Sequence, residues 1–279
     1  MKNFDYLQRA KEAKEKEKKT GGRIAGTSFS TFQGGAEADT VKALEKQKEA
    51  AIEAAKEAAK RISSLIRKVL DAGVRYYYKK TDSTMRGNIG AELEAFMFEL
   101  ELQTLAFIPA HPKLKRFTRK GYHYIDQQLL HETSFGLDPL EPIKTSNVSD
   151  LLSQQTEIHI ENVDLAIFSQ SQAKKGILVF DCDSLPELKK IGKILNENQM
   201  LNAASGSAAM VEFLPEFLNL KPGKIDIPKL QGPILIVNGS LNSISREQVN
   251  YAASKGIKVI SIPKEFISNS EFLQSHELK

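Results

Sequence analysis

The chain has 279 residues, 41% of them hydrophobic, which is enough to bury a substantial core and too apolar for a disordered polymer. Its 39 basic and 35 acidic residues leave a formal charge of +4, too mild to dedicate the surface to nucleic acid unless the charge is clustered. One cysteine excludes an intrachain disulfide; with no secretory pattern at the start and no apolar stretch long enough to cross a bilayer, the expectation is a soluble cytoplasmic protein without a membrane partner.

Residues 1–21 are mostly Lys, Glu and Ala and run into Gly21-Gly22. Residues 36–69 read as a long Ala/Glu/Lys helix whose clear apolar stripe, Ile62, Leu65, Ile66 and Val69, lies at its end, so 1–70 is expected to be an atypical helical segment. From residue 71 onward, apolar β-type runs at 74–78, 105–110, 165–168, 177–180, 234–237 and 257–262 alternate with helical patterns near 89–101, 147–155, 186–197, 207–218 and 244–254. That rhythm predicts an α/β fold, a layered sheet with flanking helices. It breaks between Pro109 and Pro142, where 116–130 reads as an inserted hairpin with Phe117, Tyr122 and Tyr124, the kind of excursion that carries binding residues. Pro and Gly punctuate 221–231, predicting a linker between an α/β domain over 71–220 and the beginning of a second over 232–279. Cys182, beside the apolar run at 177–180, reads as a buried structural thiol.

The densest chemistry is Tyr78-Lys79-Lys80-Thr81-Asp82-Ser83-Thr84-Met85-Arg86-Gly87-Asn88-Ile89-Gly90, a loop between a strand and a helix, where open α/β sheets bind ligands. Arg86 offers a planar fork for a carboxylate or phosphate, Lys79 or Lys80 adds a point charge, and Asp82, Ser83 and Thr84 can bond sugar hydroxyls. A polyhydroxy acid would satisfy them together. A second reading stands beside it: a helix start in which Asn88 caps, Gly87 and Gly90 ease the turn and Asp82 pairs with Arg86. The basic run Lys113-Leu114-Lys115-Arg116-Phe117-Thr118-Arg119-Lys120, with Tyr122, His123 and Tyr124 nearby, fits either a solvated hairpin or stacked bases on tracked phosphates; alternatively Arg116 or His123 reaches the same anion as Arg86. The near-neutral net charge favours the solvated hairpin for Lys113, Lys115, Arg119 and Lys120. Asp181-Cys182-Asp183-Ser184 could offer carboxylates to Mg²⁺, but reads better as the turn and cap of a helix beginning at Pro186. Gly239-Ser240-Leu241-Asn242-Ser243 precedes a helix and could receive a phosphate. The common nucleotide-loop, dinucleotide, zinc and nucleophile-elbow motifs are absent.

In chain order these clusters resemble the four-carbon acid sugar kinase family. Residues 79–88 resemble its signature, and Phe107-Ile108-Pro109-Ala110-His111-Pro112 its Pro-Ala-x-Pro segment. Arg116, Thr118 and Gly121-Tyr122-His123-Tyr124 resemble its hairpin; Asp138-Pro139, Pro142 and Ser146-Asn147-Val148 resemble the run that follows. Val179-Phe180-Asp181, Ala204-Ser205-Gly206-Ser207-Ala208, and Gly239-Ser240 with Gln248 extend the likeness to about residue 262. The resemblance implies a two-domain kinase that phosphorylates a terminal hydroxyl of acids such as threonate or erythronate, with the acid on the first domain and ATP, with Mg²⁺, on the second. On matching positions it implies Asp82 and Arg86 as catalytic residues, Arg86 meeting the carboxylate or the transferred phosphoryl group. Lys80, Ser83, Thr84, Gly87, Arg116 and His123 would form the substrate site, and Gly239 and Ser240 would meet ATP; no metal ligand is assigned. Residues 1–70 hold no Asp-Asp-x-Thr-Gly-Ala loop of the kind that opens the family, and its glycine-rich ATP turns come later than the segments present here. The expectation is therefore the acid-sugar-binding part of such a kinase, working with a complementing chain or as a homo-oligomer. The alternatives are a non-catalytic binding module or relic, and a nucleic-acid-binding protein built on 113–124. Asp126-Gln127 stands where the family hairpin has a residue followed by Gly, predicting strain if that turn needs a positive φ.

Overall fold

The computed structural model describes residues 34–137, 142–165, 168, 175–221, 223, 226, 227, 229, 231–240 and 243–262. The chain divides after Gly223 into two compact units. The first contains α1 (Gly34–Asp71), β1 (Tyr77–Lys80), α2 (Ile89–Glu99), β2 (Thr104–Ile108), β3 (Arg116–Arg119), β4 (Tyr122–Ile125), β5 (Gln128–Leu129), α3 (Val148–Ser153), β6 (Ile160–Val163), β7 (Gly176–Phe180), α4 (Leu185–Glu197), β8 (Ala203–Gly206), α5 (Ala208–Val211) and α6 (Leu214–Phe217). Five strands form a parallel sheet in the order β1-β8-β2-β7-β6, and β3-β4-β5 form a small antiparallel sheet, the expected excursion. This is an α/β fold with helices on both faces of a parallel sheet.

Strand alternation builds the two cores. Residues 106 and 108 of β2 and 178 and 180 of β7 face Leu188, Ile191 and Leu195 of α4. Leu105, Phe107, Ile177 and Val179 face Leu93 and Phe96 of α2, Leu152 of α3 and Ile66 of α1. The end of α1 packs on α2 through small residues, Ala55 and Ala59 against Ala91 and Ala95, which lets the two backbones come close. Among the described residues, no helix is long and apolar enough to cross a membrane.

Several elements sit where sequence pattern alone misplaces them. β1 begins at Tyr77 and takes in both lysines, because its register is set by β8, from Tyr77 opposite Ala203 to Lys80 opposite Gly206. The strand expected at 165–168 lies instead at Ile160–Val163, held by pairing with β7; Leu165 is in a turn, Phe168 packs edge to face on Phe180 at 5.2 Å, and 166–167 lie outside the described residues. β8 falls outside the apolar runs that predict strands; Ala203-Ala204-Ser205-Gly206 have weak β preference, and two neighbouring strands impose the conformation. The helix expected at 207–218 is two short ones, α5 and α6, with Pro215 in the first turn of α6. At the β4–β5 turn the positive φ, +55°, falls on Asp126, a residue type that tolerates the left-handed region. Its N–H donates to Lys115 O at 2.7 Å and its carboxylate pairs with Lys115 at 2.9 Å, so the expected strain is placed on a residue that bears it.

Helix α4 begins one residue before the expected Pro186, and its cap is Ser184 rather than an Asp: the Ser184 hydroxyl accepts the Glu187 N–H at 3.3 Å. Ser184→Ala is expected to lower stability by about 1 kcal/mol, read from the urea unfolding midpoint.

In the second unit, α7 (Ser243–Ser254) is the helix among the described residues. The runs expected as strands at 234–237 and 257–262 have no ladder partner there, and residues 234–237 are 71–85% exposed. Their sequence has the β pattern, but a strand exists only when a neighbour accepts its hydrogen bonds.

Candidate acid-sugar site

The small antiparallel sheet is tied to the carboxyl ends of the parallel strands. Thr118 and Cys182 exchange backbone hydrogen bonds at 3.0 and 2.9 Å, and the Asp181 carboxylate accepts the N–H groups of Lys120 (2.6 Å) and Gly121 (2.9 Å). Arg119 grips Asp183 through two bonds at 2.7 and 2.9 Å. The acidic run after β7 therefore fastens the hairpin. Burial pushes the Cys182 thiol up to about 12, consistent with a structural role. Of the hairpin's other cations, Lys113 pairs with Glu212 and Lys115 with Asp126.

The fastened hairpin meets the loop at 81–88. His123 is fully buried, and that burial lowers its pKa to about 4, so the ring is neutral at pH 7. Its Nε2 lies 2.9 Å from the Ser83 carbonyl, which can only accept, so Nε2 carries the proton and Nδ1 accepts from the Thr118 hydroxyl at 3.1 Å. Both ring nitrogens are thus engaged by the protein, and His123 acts on the site by holding Ser83. Arg116, opening β3, donates through Nη1 to the Ser83 hydroxyl. Buried Met85 sits in the core that faces α2 and α3, with φ +61°, a conformation costly for a long side chain, so the loop is pinned in a strained shape. Gly87, at φ +90° and exposed, supplies the other left-handed step.

Within the loop, Asp82 Oδ2 accepts from Thr84 Oγ1 (2.5 Å) and from Arg86 Nε (2.8 Å), and Arg86 Nε also approaches Thr84 Oγ1 at 3.0 Å. Burial would raise the Asp82 pKa, but the bonds from Thr84 and Arg86 outweigh it and hold the carboxyl below its ordinary value. Both Arg86 bonds leave from Nε, so its terminal nitrogens keep donors for a ligand, while its guanidinium lies 5.3 Å from the Phe135 ring. Asn88 occupies the cap position of α2 without a side-chain cap bond. Strand alternation sends Lys79 to Glu92 on α2 and leaves Lys80 exposed at the end of β1. Gly239 and Ser240 lie in the second unit, both exposed, the Ser240 N–H bonded to Asn238 Oδ1 at 3.0 Å.

Three buried side-chain atoms lack a hydrogen-bond partner among the described residues: Thr81 Oγ1, His111 Nδ1 and Arg116 Nε. Thr81 and His111 follow β1 and β2 at the carboxyl end of the parallel sheet, and Arg116 opens β3 of the small antiparallel sheet. Arg116 also makes no ion pair among the described residues; burial disfavours its charge most, and the attraction of nearby Asp82, itself opposed by Arg86, only partly offsets that. Thr81, His111 and Phe135 were not singled out by sequence as site residues. Nothing in their spacing reveals them, because their roles arise from bridges between segments distant in sequence.

A site that gathers two guanidinium groups, a carboxylate and hydroxyls on one sheet end suits a polyhydroxy acid. Residues 18–214 match the sugar-binding N-terminal domain family. The chain belongs to the four-carbon acid sugar kinase family. Within that family it is similar to a D-threonate kinase of Salmonella typhimurium, 32% identical over 189 residues, which are 64% of this chain and 43% of that protein. It is also similar to a D-erythronate kinase of Heliobacterium modesticaldum, 26% identical over 203 residues, 68% of this chain and 45% of that protein. In fold it is similar to a Bordetella bronchiseptica structure with bound citrate, a domain-swapped dimer, at TM-score 0.53 and 22% identity, covering 80% of this chain and 55% of that one. The chain thus spans under half the length of these two acid sugar kinases.

Proposed function

We propose that this chain is the acid-sugar-binding part of a four-carbon acid sugar kinase, holding threonate- or erythronate-type acids for phosphorylation by ATP in the cytoplasm. The observation that carries the reading is Arg116, a partly buried guanidinium with an unpartnered Nε and no ion pair among the described residues, beside the exposed end of Arg86. A half-buried cation whose desolvation a neighbouring carboxylate only partly offsets is costly, and an anionic ligand reduces that cost. In this reading the carboxylate meets Arg116 and Arg86, and hydroxyls meet Asp82, Ser83 and Thr84. Asp82, held ionised, orients the terminal hydroxyl and Lys80 adds electrostatic support. The citrate of the Bordetella bronchiseptica neighbour, a hydroxy acid, agrees with this chemistry.

Phosphoryl transfer also requires a nucleotide with a metal ion that would neutralise the charge of its phosphates. The described residues do not fit that pair: Gly239 and Ser240 are exposed, and no group of three His, Cys, Asp or Glu side chains could hold a metal. We therefore assign no step of transfer to the described residues alone and propose that groups outside them, such as those of a complementing chain or a second copy, complete the donor site. The exposed apolar runs of the second unit and the domain swap of the Bordetella bronchiseptica neighbour support such an association. Nucleic-acid binding by the hairpin would require opening the ion pairs of Lys113, Lys115 and Arg119.

Calorimetric titration with threonate and erythronate, each with and without ATP and Mg²⁺, tests the reading. Binding of one acid that ATP does not alter, and that Arg86→Ala weakens at least about tenfold, is expected. Absence of binding to either acid would overturn it.

A further inference from the structure

We propose that His111 is a specificity-determining residue of this site, contacting the same substrate carboxylate as Arg116 and taking up a proton when the acid binds. The proposal rests on the acid-sugar reading and extends it to a residue that reading does not use.

The geometry is local and complete. His111 and Arg116 face each other across an antiparallel bridge, His111 N–H donating to Arg116 O at 2.8 Å and Arg116 N–H to His111 O at 3.2 Å. Directly opposed residues of an antiparallel pair place their side chains on one face. The intervening Pro112–Leu114 3₁₀ turn and the left-handed Lys115 close this six-residue loop tightly, so the pairing is part of the fold. On that shared face His111 Nδ1 and Arg116 Nε are both buried and both without a partner. One arm of Arg116 is already committed to Ser83. An oxygen that accepts from both orphaned nitrogens would lie beside the loop that binds the hydroxyls.

The charges around His111 make it responsive to an anion. The charged groups facing it are Arg116 on β3, Lys113 in its own turn and Glu212 beyond α5. Lys113 and Glu212 pair with each other, which leaves Arg116 as the uncommitted charge. Burial, with Arg116 and Lys113, lowers the His111 pKa below its ordinary value against the opposing pull of its own backbone and of Glu212, so the neutral form prevails in the free protein at pH 7. A carboxylate bound at Arg116 favours the imidazolium and raises that pKa in the complex. The sign follows from linkage: affinity is highest below the free-state pKa, falls as pH rises through the bound-state pKa, and is flat above it. A neutral polyol gains nothing from this proton, so His111 discriminates acids from their uncharged analogues.

The test is titration of the intact chain with threonate, erythronate and the neutral analogue threitol between pH 5.5 and 8, in two buffers of different ionisation enthalpy. Wild type is expected to take up a fraction of a proton with the acid and to lose affinity up to about tenfold towards pH 8, the change that accompanies a pKa raised by about one on binding. His111→Gln and His111→Asn are expected to abolish the proton uptake and flatten the pH profile, with thermal unfolding checked alongside. If the acid binds wild type without proton uptake, or if both variants keep the wild-type profile, the inference fails while the acid-sugar reading stands. In that case a buried water would satisfy the two nitrogens. If no acid binds wild type at any pH, the reading of the site fails first.

Discussion

Arg116→Met is expected to weaken acid binding by at least about 100-fold, roughly 3 kcal/mol, while leaving the unliganded chain as stable as wild type or more so. The two halves of this result share one cause. In the free protein the guanidinium is desolvated, and Asp82, whose attraction Arg86 opposes, only partly offsets that cost, so replacing it with an apolar side chain of similar reach removes an unfavourable charge. Its lost partner in the free protein is the Ser83 hydroxyl, a small deficit. In the complex the same change leaves a carboxylate facing a buried, uncharged wall. Titration calorimetry measures the first half and thermal unfolding without ligand the second. A loss of stability in proportion to the loss of binding would make Arg116 a structural residue.

Gly206→Ala is expected to destabilise the first unit by at least about 3 kcal/mol, read from urea unfolding followed by circular dichroism. Gly206 ends β8 at φ +153°, where a side chain is strained, and an added Cβ would lie 2.1 Å from Ile108 O and 2.9 Å from the Tyr78 hydroxyl. The carbonyl is backbone of the adjacent β2, so relief requires the two strands to part. They would part at the end that carries the site: Gly206 O accepts the Thr81 N–H at 2.8 Å, and the next residue, Ser207, holds Ile108 O by its N–H and Ala110 O by its hydroxyl. Acid binding should therefore fall even in the fraction that remains folded.

Much of this protein was legible without coordinates. The loop at 79–88 declared itself by density of charge and hydroxyls at the end of a strand, and the ordered run of short motifs placed the chain in its family. The apolar runs at 105–110 and 177–180 announced β2 and β7, while the division of their residues between two cores, 106, 108, 178 and 180 against 105, 107, 177 and 179, came with the structure. The limits are equally physical. Nothing local distinguishes Ala203-Ala204-Ser205-Gly206 from a turn; it is a strand because β1 and β2 supply partners on either side. The runs at 234–237 and 257–262 carry the strand pattern, yet no described neighbour pairs with them.

The sequence by itself determined the α/β class, most of the apolar runs that become strands and helices, and the loop where chemistry gathers, because these follow from periodicity and from residue type at short range. The tertiary structure decided which charges are spent on each other and which remain for a ligand. Asp181 and Asp183 hold the hairpin, Lys113, Lys115 and Arg119 are neutralised by acids from elsewhere or across a turn, and Arg116 Nε and His111 Nδ1 are left buried without a partner among the described residues. That division depends on bridges such as His111 to Arg116 and Thr118 to Cys182, and on contacts across 33 or more residues such as Arg116 to Ser83. Pairings of that kind are settled by packing and by the need to satisfy buried polar groups, which no local pattern encodes.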